Sequence, residues 1–292
     1  MCAGTVTEVA VVMPSYDTAP YVERCLRSLQ AQDMERWECF VVDDCSTDGT
    51  PDVVQAVADG DRRIHLIRRT DNGGCGIARR EAIAAALSST RAGWLALVDS
   101  DDAVEPRYLS AMMSAARRTG AEAVCCGTID VDDRGRELRR KAAPVDYVTR
   151  GEGIYRDYMR GGWVRQYNGN KLFARRLVEA IPYSPLRFCE DSATTYLWLD
   201  EAVRVAVISD ALYRYTRRRG SNSNTLNAPL TKAVDTVACV AGHYDFCRAR
   251  GYGWMLPGLR AFAAPHIMQA VAALRPGDPR WDVVDGARRG MF

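Results

Sequence analysis

Three carboxylates within four residues, Asp99, Asp101 and Asp102, follow the apolar run Trp94–Val98. Carboxylates this close repel one another, so the ionised cluster needs a positive partner. Oxygen donors without cysteine or histidine select a hard divalent cation, Mg2+ or Mn2+, which commonly shares its coordination with substrate phosphates. The plain alternative is a solvated acidic turn in which Asp102 caps the helix that follows. A second acidic stretch, Asp43-Asp44-Cys45-Ser46-Thr47-Asp48-Gly49, ends the apolar run Cys39–Val42. Asn72-Gly73-Gly74-Cys75-Gly76 is glycine-rich and leads to Arg79. Further on, Glu190 and Asp191 open a helical stretch whose N-terminal dipole favours acids.

The elements that position these residues alternate in type. Val9–Met13, Cys39–Val42, Ile64–Ile67, Trp94–Val98 and Ala123–Gly127 are short apolar runs that predict strands. Between them, helical spacing predicts helices over Tyr21–Leu29, after Thr50 as N-cap with Pro51 in the first turn, over Ile77–Leu87 and over Pro106–Arg118. Such alternation predicts a mostly parallel sheet with helices on both faces and ligands at the carboxyl ends of the strands. Pro14-Ser15-Tyr16-Asp17, Asp43-Asp44 and Asp99 to Asp102 all fall at such ends and outline one cleft.

The pattern changes near residue 128. Residues 130–147 look hairpin-like, 151–162 helical, 170–173 a short element, 190–199 a helix and 203–208 a strand. The chain is largely helical from Pro229 onward. Trp163 and Tyr167 could stack on the face of a ligand ring, though Trp163 suits a core equally well. Arg217 to Arg219 could close over a bound anion as a lid, or form an exposed turn, and Ser221, Asn222 or Asn224 could be extra partners of a bound cation.

Taken in order, these strings resemble the family 2 glycosyltransferases, nucleotide-sugar enzymes with the Rossmann-like GT-A fold. The family pattern has counterparts in Pro14-Ser15-Tyr16-Asp17, in Asp43 to Thr50, in Asn72 to Arg79, in Asp99 to Asp102 and in Glu190-Asp191. Asn170-Lys171-Leu172-Phe173 and Tyr213-Arg214-Tyr215 with Ser221 look like elements of its second half. The resemblance covers residues 8–225. It implies a nucleotide-sugar-binding half over 1–127 and an acceptor half over 128–225; residues 226–292 fall outside it and read as a helical C-terminal extension.

The resemblance also implies roles. Pro14, Ser15 and Tyr16 would line the nucleotide base, and Asp43 or Asp44 would accept from uracil N3–H. Arg79 would lie near the diphosphate or base. Asp99 and Ser100 would sit by the nucleotide, with Asp99 on the ribose or the metal and Asp101 as metal ligand. Asp191 would be the catalytic base, with Glu190 beside it, and Trp163, Asn170, Lys171, Arg217, Arg219 and Ser221 would be lid or acceptor contacts. Asp17 and Arg80 stand where the family usually has asparagine and add charge near the nucleotide. The implied reaction is an inverting hexosyl or N-acetylhexosaminyl transfer from a UDP-sugar to a glycan, lipid-linked or small-molecule hydroxyl. The alternatives are a nucleotidyltransferase, a sugar-nucleotide hydrolase and a non-catalytic sugar-nucleotide-binding subunit.

Composition narrows the rest. The 292 residues carry 39 basic and 37 acidic side chains, a net charge of +2, which gives no general pull toward nucleic acid. All but three of the basic residues are arginine, spread along the whole chain. The ten cysteines lack any Cys-x-x-Cys and the histidines number three, so reduced thiols are expected rather than zinc or a disulfide scaffold. Gly74-Cys75-Gly76-Ile77-Ala78-Arg79 has arginine where a dinucleotide fingerprint has its third glycine, and no phosphate-loop Gly-Lys occurs. No apolar run reaches the ~18 residues of a membrane span, and Trp254 to Leu274 reads as an amphipathic helix packed on the domain. A cytoplasmic protein is the expected setting, with peripheral association at the inner face of the membrane as an open alternative.

Overall fold

The computed structural model describes residues 7–218 and 229–292. Among the described residues, ten strands form one sheet. The first four, β1 (Val9–Ser15), β2 (Trp37–Asp43), β3 (Ile64–Arg68) and β4 (Trp94–Leu97), lie parallel in the order β3-β2-β1-β4. Helices α1 (Ala19–Gln30), α2 (Thr50–Ala58) and α3 (Cys75–Ser89) make the crossovers. After β5 (Ala103–Val104) and α4 (Tyr108–Thr119) comes β6 (Ala123–Val131), paired parallel with the long β10 (Val205–Thr216).

Between β4 and β6 lies β9 (Lys171–Ala174), antiparallel to both. Its direction matters to the site. Because Leu172 pairs with Ala96 and Lys171 with Cys125, β9 begins at the edge where β4 ends. Two further antiparallel strands, β7 (Glu137–Lys141) on β6 and β8 (Tyr147–Thr149) on β10, cover the free halves of the long strands. Helices α5 (Glu152–Met159), α6 (Arg175–Ala180) and α7 (Glu190–Glu201) surround β9.

Strand alternation divides the interior into two faces. Val9, Val11 and Met13 of β1, Cys39 and Val41 of β2 and Leu172 of β9 meet α1 and α4 through Leu26, Leu29, Leu109 and Met112. The intervening Ala10, Val12, Phe40, Val42 and Phe173 meet α3 and α7. Truncating one such fully buried leucine, as in Leu26→Ala, costs about 2–5 kcal/mol.

The C-terminal helices α8 (Pro229–Ala249), α9 (Leu256–Ala273) and α10 (Pro279–Met291) extend that second face. Val237, Val240, Tyr244, Leu259 and Val284 belong to the same continuous core as Phe173 and Trp198. Residues 254–274 are thus packed through one stripe on the domain, while Phe262 and Met268 stay exposed. No helix among the described residues is long and apolar enough to cross a membrane.

Several local expectations shift. Thr50 is the first residue of α2 rather than its cap; Gly49 precedes it with φ 83°, and the Asp48 carboxylate accepts the Thr50 N–H at 3.0 Å. The other Asp48 oxygen accepts the Ala19 N–H at 3.0 Å, so one side chain holds the starts of two helices. The strand expected over 203–208 runs on to Thr216, because its second half pairs with β6 and β5.

Candidate active site

The carboxyl edge of β1, β2 and β4 carries the expected polar residues. β1 leaves the sheet through Asp17, whose left-handed φ of 48° suits the asparagine or aspartate found at such turns. Its carboxylate accepts the Thr47 N–H at 2.8 Å, joining this turn to the acidic stretch after β2. Beneath them, the hydroxyls of Ser15, Thr18 and Ser100 form a buried chain at 2.9 and 3.0 Å. Ser15 and Ser100 therefore brace the cleft floor, whereas Tyr16 stands 45% exposed above it.

The two adjacent aspartates after β2 do different work. Asp44 accepts from the Gly73 and Gly74 N–H groups at 2.9 and 2.7 Å and pairs with Arg69 at 2.9 Å. That carboxylate is saturated, and it shapes the glycine-rich turn. Asp43 accepts the Ser46 N–H through Oδ2 at 3.0 Å, but its buried Oδ1 has no partner. A buried carboxylate oxygen left bare is costly unless a ligand donor completes it.

Arg79, only 3% exposed, links three elements. Its guanidinium donates to the Tyr183 hydroxyl at 2.8 Å, to Glu190 at 3.0 Å and to Asp99. The planar fork reaches these separated acceptors from two different nitrogens held in fixed geometry, whereas an ammonium has all its donors on one nitrogen. The end of β4 and the start of α7 are thereby held against one cation.

Asp102 does not cap α4. Its carboxylate accepts the Tyr213 hydroxyl at 2.6 Å and the Thr216 N–H at 2.7 Å, tying the β4 turn to β10. Burial, and then the neighbouring Asp101 and Asp99, push its pKa well up. Asp101 instead pairs with Arg218 at 2.6 Å, and burial and Asp99 raise its pKa against that cation.

The residues expected to hold a cation are hard oxygen donors, but among the described residues no three His, Cys, Asp or Glu side chains are arranged so that they alone could hold a metal ion. Asp99 gives one oxygen to Arg79 and Asp101 one to Arg218. One further oxygen on each remains. That donor set fits Mg2+ or Mn2+ held by the protein on one side and by diphosphate and water on the other.

Asp191 lies one residue inside α7, after Cys189 in a left-handed conformation with φ 60°. One carboxylate oxygen accepts the Ser192 N–H at 2.6 Å. Burial first, then repulsion from Glu190, push its pKa up to about 7, while the Ser192 N–H and Arg79 pull the other way. A carboxylate poised near neutrality is what general-base chemistry requires.

The remaining expected contacts divide. Lys171 is fully buried and donates to the Tyr167 carbonyl at 2.5 Å and to Asn170 Oδ1 at 2.9 Å; burial lowers its pKa. Asn170 donates in turn to the Cys126 carbonyl at 2.5 Å, so both residues secure the start of β9. Trp163 is partly buried against the core, with Arg165 stacked 5.5 Å from its ring centroid. Arg217 pairs with Asp130 at 3.0 Å and stacks on Tyr215, so Arg218 rather than Arg217 meets the acidic cluster. Arg219, Ser221, Asn222 and Asn224 lie outside the described residues. Tyr183, Tyr213 and Arg218 act in the site without having been singled out for these contacts. Their partners are 104, 111 and 117 residues away, beyond any local pattern.

A four-stranded parallel edge, an inserted antiparallel β9 and acids after β2 and β4 define a GT-A-like α/β protein. Staphylococcus aureus TarS 1–349, solved with UDP-GlcNAc, has this fold: TM-score 0.66 at 21% identity, covering 98% of this chain and 88% of that one. The chain belongs to glycosyl transferase family 2, whose profile matches residues 10–181. It is 31% identical over 212 residues to EpsH of Bacillus subtilis, covering 71% of this chain and 60% of EpsH. It is also 33% identical over 236 residues to the succinoglycan biosynthesis protein ExoO of Rhizobium meliloti, covering 76% of this chain and 64% of ExoO. The mannosyltransferase PcManGT of Pyrobaculum calidifontis, solved with GDP-Man and Mn2+, shares the fold at TM-score 0.56 and 17% identity, with 98% of this chain and 81% of that one covered.

Proposed function

We infer that this chain transfers a sugar, with inversion, from a UDP-sugar to a hydroxyl group of a glycan acceptor. The observation that carries the reading is the pair of acidic groups across Arg79: Asp99 at the end of β4 and the Glu190-Asp191 start of α7. A nucleotide diphosphate on the first and an acceptor hydroxyl beside the second would place the anomeric carbon between them.

Each residue then has a task. Tyr16 offers its ring face to the nucleobase, and the bare Asp43 Oδ1 accepts the imide N–H of uracil. Asp99 and Asp101 would hold Mg2+ or Mn2+, which when bound offsets the charge of the departing diphosphate. Asp191 takes the acceptor proton as the hydroxyl attacks. Its partial protonation near neutrality leaves it strong enough for that task, and Glu190, fixed by Arg79, keeps its field on it. The UDP-GlcNAc held by TarS and the succinoglycan biosynthesis for which ExoO is named support a UDP-sugar and a glycan acceptor as first candidates.

The decisive experiment is a thermal-shift panel of UDP-, GDP-, ADP- and CMP-sugars with and without Mn2+, followed by product analysis of the stabilising donor. Free UDP and a glycoside with inverted anomeric configuration are expected. Pyrophosphate release, or stabilisation by a GDP-sugar alone, would overturn the reading.

A further inference from the structure

The turn that delivers Asp191 is gripped from both sides. On one side it meets the glycine-rich turn: Arg187 donates to the Asn72 carbonyl at 3.0 Å, and a Cβ at Gly76 would collide with the carbonyls of Ser184 and Leu186. On the other side stands α8, beyond the residues that the family profile matches. There the Asp235 carboxylate accepts two successive backbone N–H groups, of Arg187 at 3.1 Å and of Phe188 at 3.0 Å, through the same oxygen. The contact continues along one stripe of α8. Thr236 meets the Cys189 thiol at 3.7 Å, and His243 meets the Ser192 carbonyl at 3.0 Å. These contacts bracket Glu190 and Asp191 at both ends.

We propose that Asp235 is a positioning residue for the Glu190-Asp191 turn, so that the C-terminal helices are a working part of the active site. The physical need is visible in Cys189. Its left-handed φ of 60° is unfavourable for a residue with a Cβ and persists only where the surroundings determine it. Two N–H groups held on one carboxylate oxygen just before that residue, and α8 side chains just after it, supply the determination. Without the clamp the turn relaxes, and Asp191 shifts relative to the acceptor hydroxyl. Misplacement of a reacting group by about 1 Å can cost about 100-fold in rate without weakening substrate binding. The proposal rests on the reading of Asp191 as base, and its test separates the two.

Hydrogen exchange is measured for the peptide spanning residues 186–190 in the full chain, for wild type, Asp235→Ala, Asp235→Asn and Asp235→Glu. Turnover follows with the nucleotide sugar that the wild type uses fastest in the panel above. D235A is expected to lose protection at the Arg187 and Phe188 amides. Its kcat should fall about tenfold or more, with the donor KM within about twofold. D235N keeps the accepting oxygen and restores both protection and kcat; D235E keeps the charge, displaces the oxygen and falls between, and it serves if D235A does not fold. Unchanged protection in D235A, lost protection with unchanged kcat, or a D235N as impaired as D235A would each overturn the proposal. Wild-type turnover by D191N would instead remove the base assignment, leaving the clamp to be judged on amide protection and kcat alone.

Discussion

Arg79 of α3 and Glu190 of α7 meet at 3.0 Å across 111 residues of chain. This contact joins the half of the sheet that would carry a nucleotide to the helix that carries the candidate base. Because the same guanidinium also reaches Asp99 and Tyr183, its replacement disturbs both sides together.

Arg79→Lys is therefore expected to lose about 100-fold in kcat/KM, since a single ammonium nitrogen cannot reach both the Asp99 side and the Glu190 side, which the guanidinium meets through two separate nitrogens. Arg79→Ala should also destabilise the fold by about 3 kcal/mol, because Glu190 is then left a poorly solvated carboxylate without its partner. Steady-state turnover and urea unfolding measure the two effects. A lysine variant with wild-type rates would show that the fork is dispensable.

The neighbouring aspartates after β2 should separate cleanly. Asp44→Ala removes the acceptor for Gly73, Gly74 and Arg69 and should cost about 2 kcal/mol of stability. Asp43→Ala removes one backbone bond together with the bare oxygen, so its Tm should change little while UDP affinity drops about tenfold. Calorimetric titration with UDP and thermal melts of both variants decide this. Equal loss of UDP affinity in the two variants would count against Asp43 as the base reader.

Asp101→Asn is expected to abolish the difference that Mn2+ makes to UDP binding, since a neutral amide is a poor ligand for a hard cation. Its fold should survive, because the amide oxygen can still accept from Arg218 and the buried repulsion between Asp101 and Asp99 is relieved. UDP titrations at matched ionic strength, with Mn2+ and with EDTA, give the readout. A retained Mn2+ effect would move the cation site elsewhere.

The sequence alone discloses what depends on local pattern. Alternating apolar runs expose β1 to β4, and acids stranded at their ends expose Asp43 and Asp99, because burial and solvent edge repeat at fixed spacing. It hides what depends on distant partners. Nothing near Asp102 announces that its carboxylate belongs to Tyr213 and Thr216 rather than to the next helix. Nor does the Asp43-Asp44 pair reveal which member is spent on the glycine turn, since Gly73, Gly74 and Arg69 lie some 25 to 30 residues on. The antiparallel course of β9 is equally silent: four apolar-rich residues after a polar loop carry no sign of direction.

The pH dependence follows from Asp191. As a base it must be ionised, so with its pKa pushed up to about 7, kcat should climb about tenfold per pH unit on the acid side and level off above neutrality. The same shift has an opposite consequence for stability. Burial and Glu190 make the folded protein hold this proton where the unfolded chain, near the ordinary value of 3.8, has released it. Between about pH 4 and 7 the folded state thus binds more protons, and the Asp191 contribution to stability falls as pH rises through that window. A carboxamide at this position cannot ionise, so Asp191→Asn should be inactive yet melt higher than wild type above pH 7, with the two curves converging toward pH 4. Melting curves across pH 4–8 beside a kcat profile test both halves. A flat kcat between pH 5.5 and 8 would remove Asp191 from the proton transfer, and a variant that melts below wild type at pH 8 would show the carboxylate to be stabilised rather than strained by its surroundings.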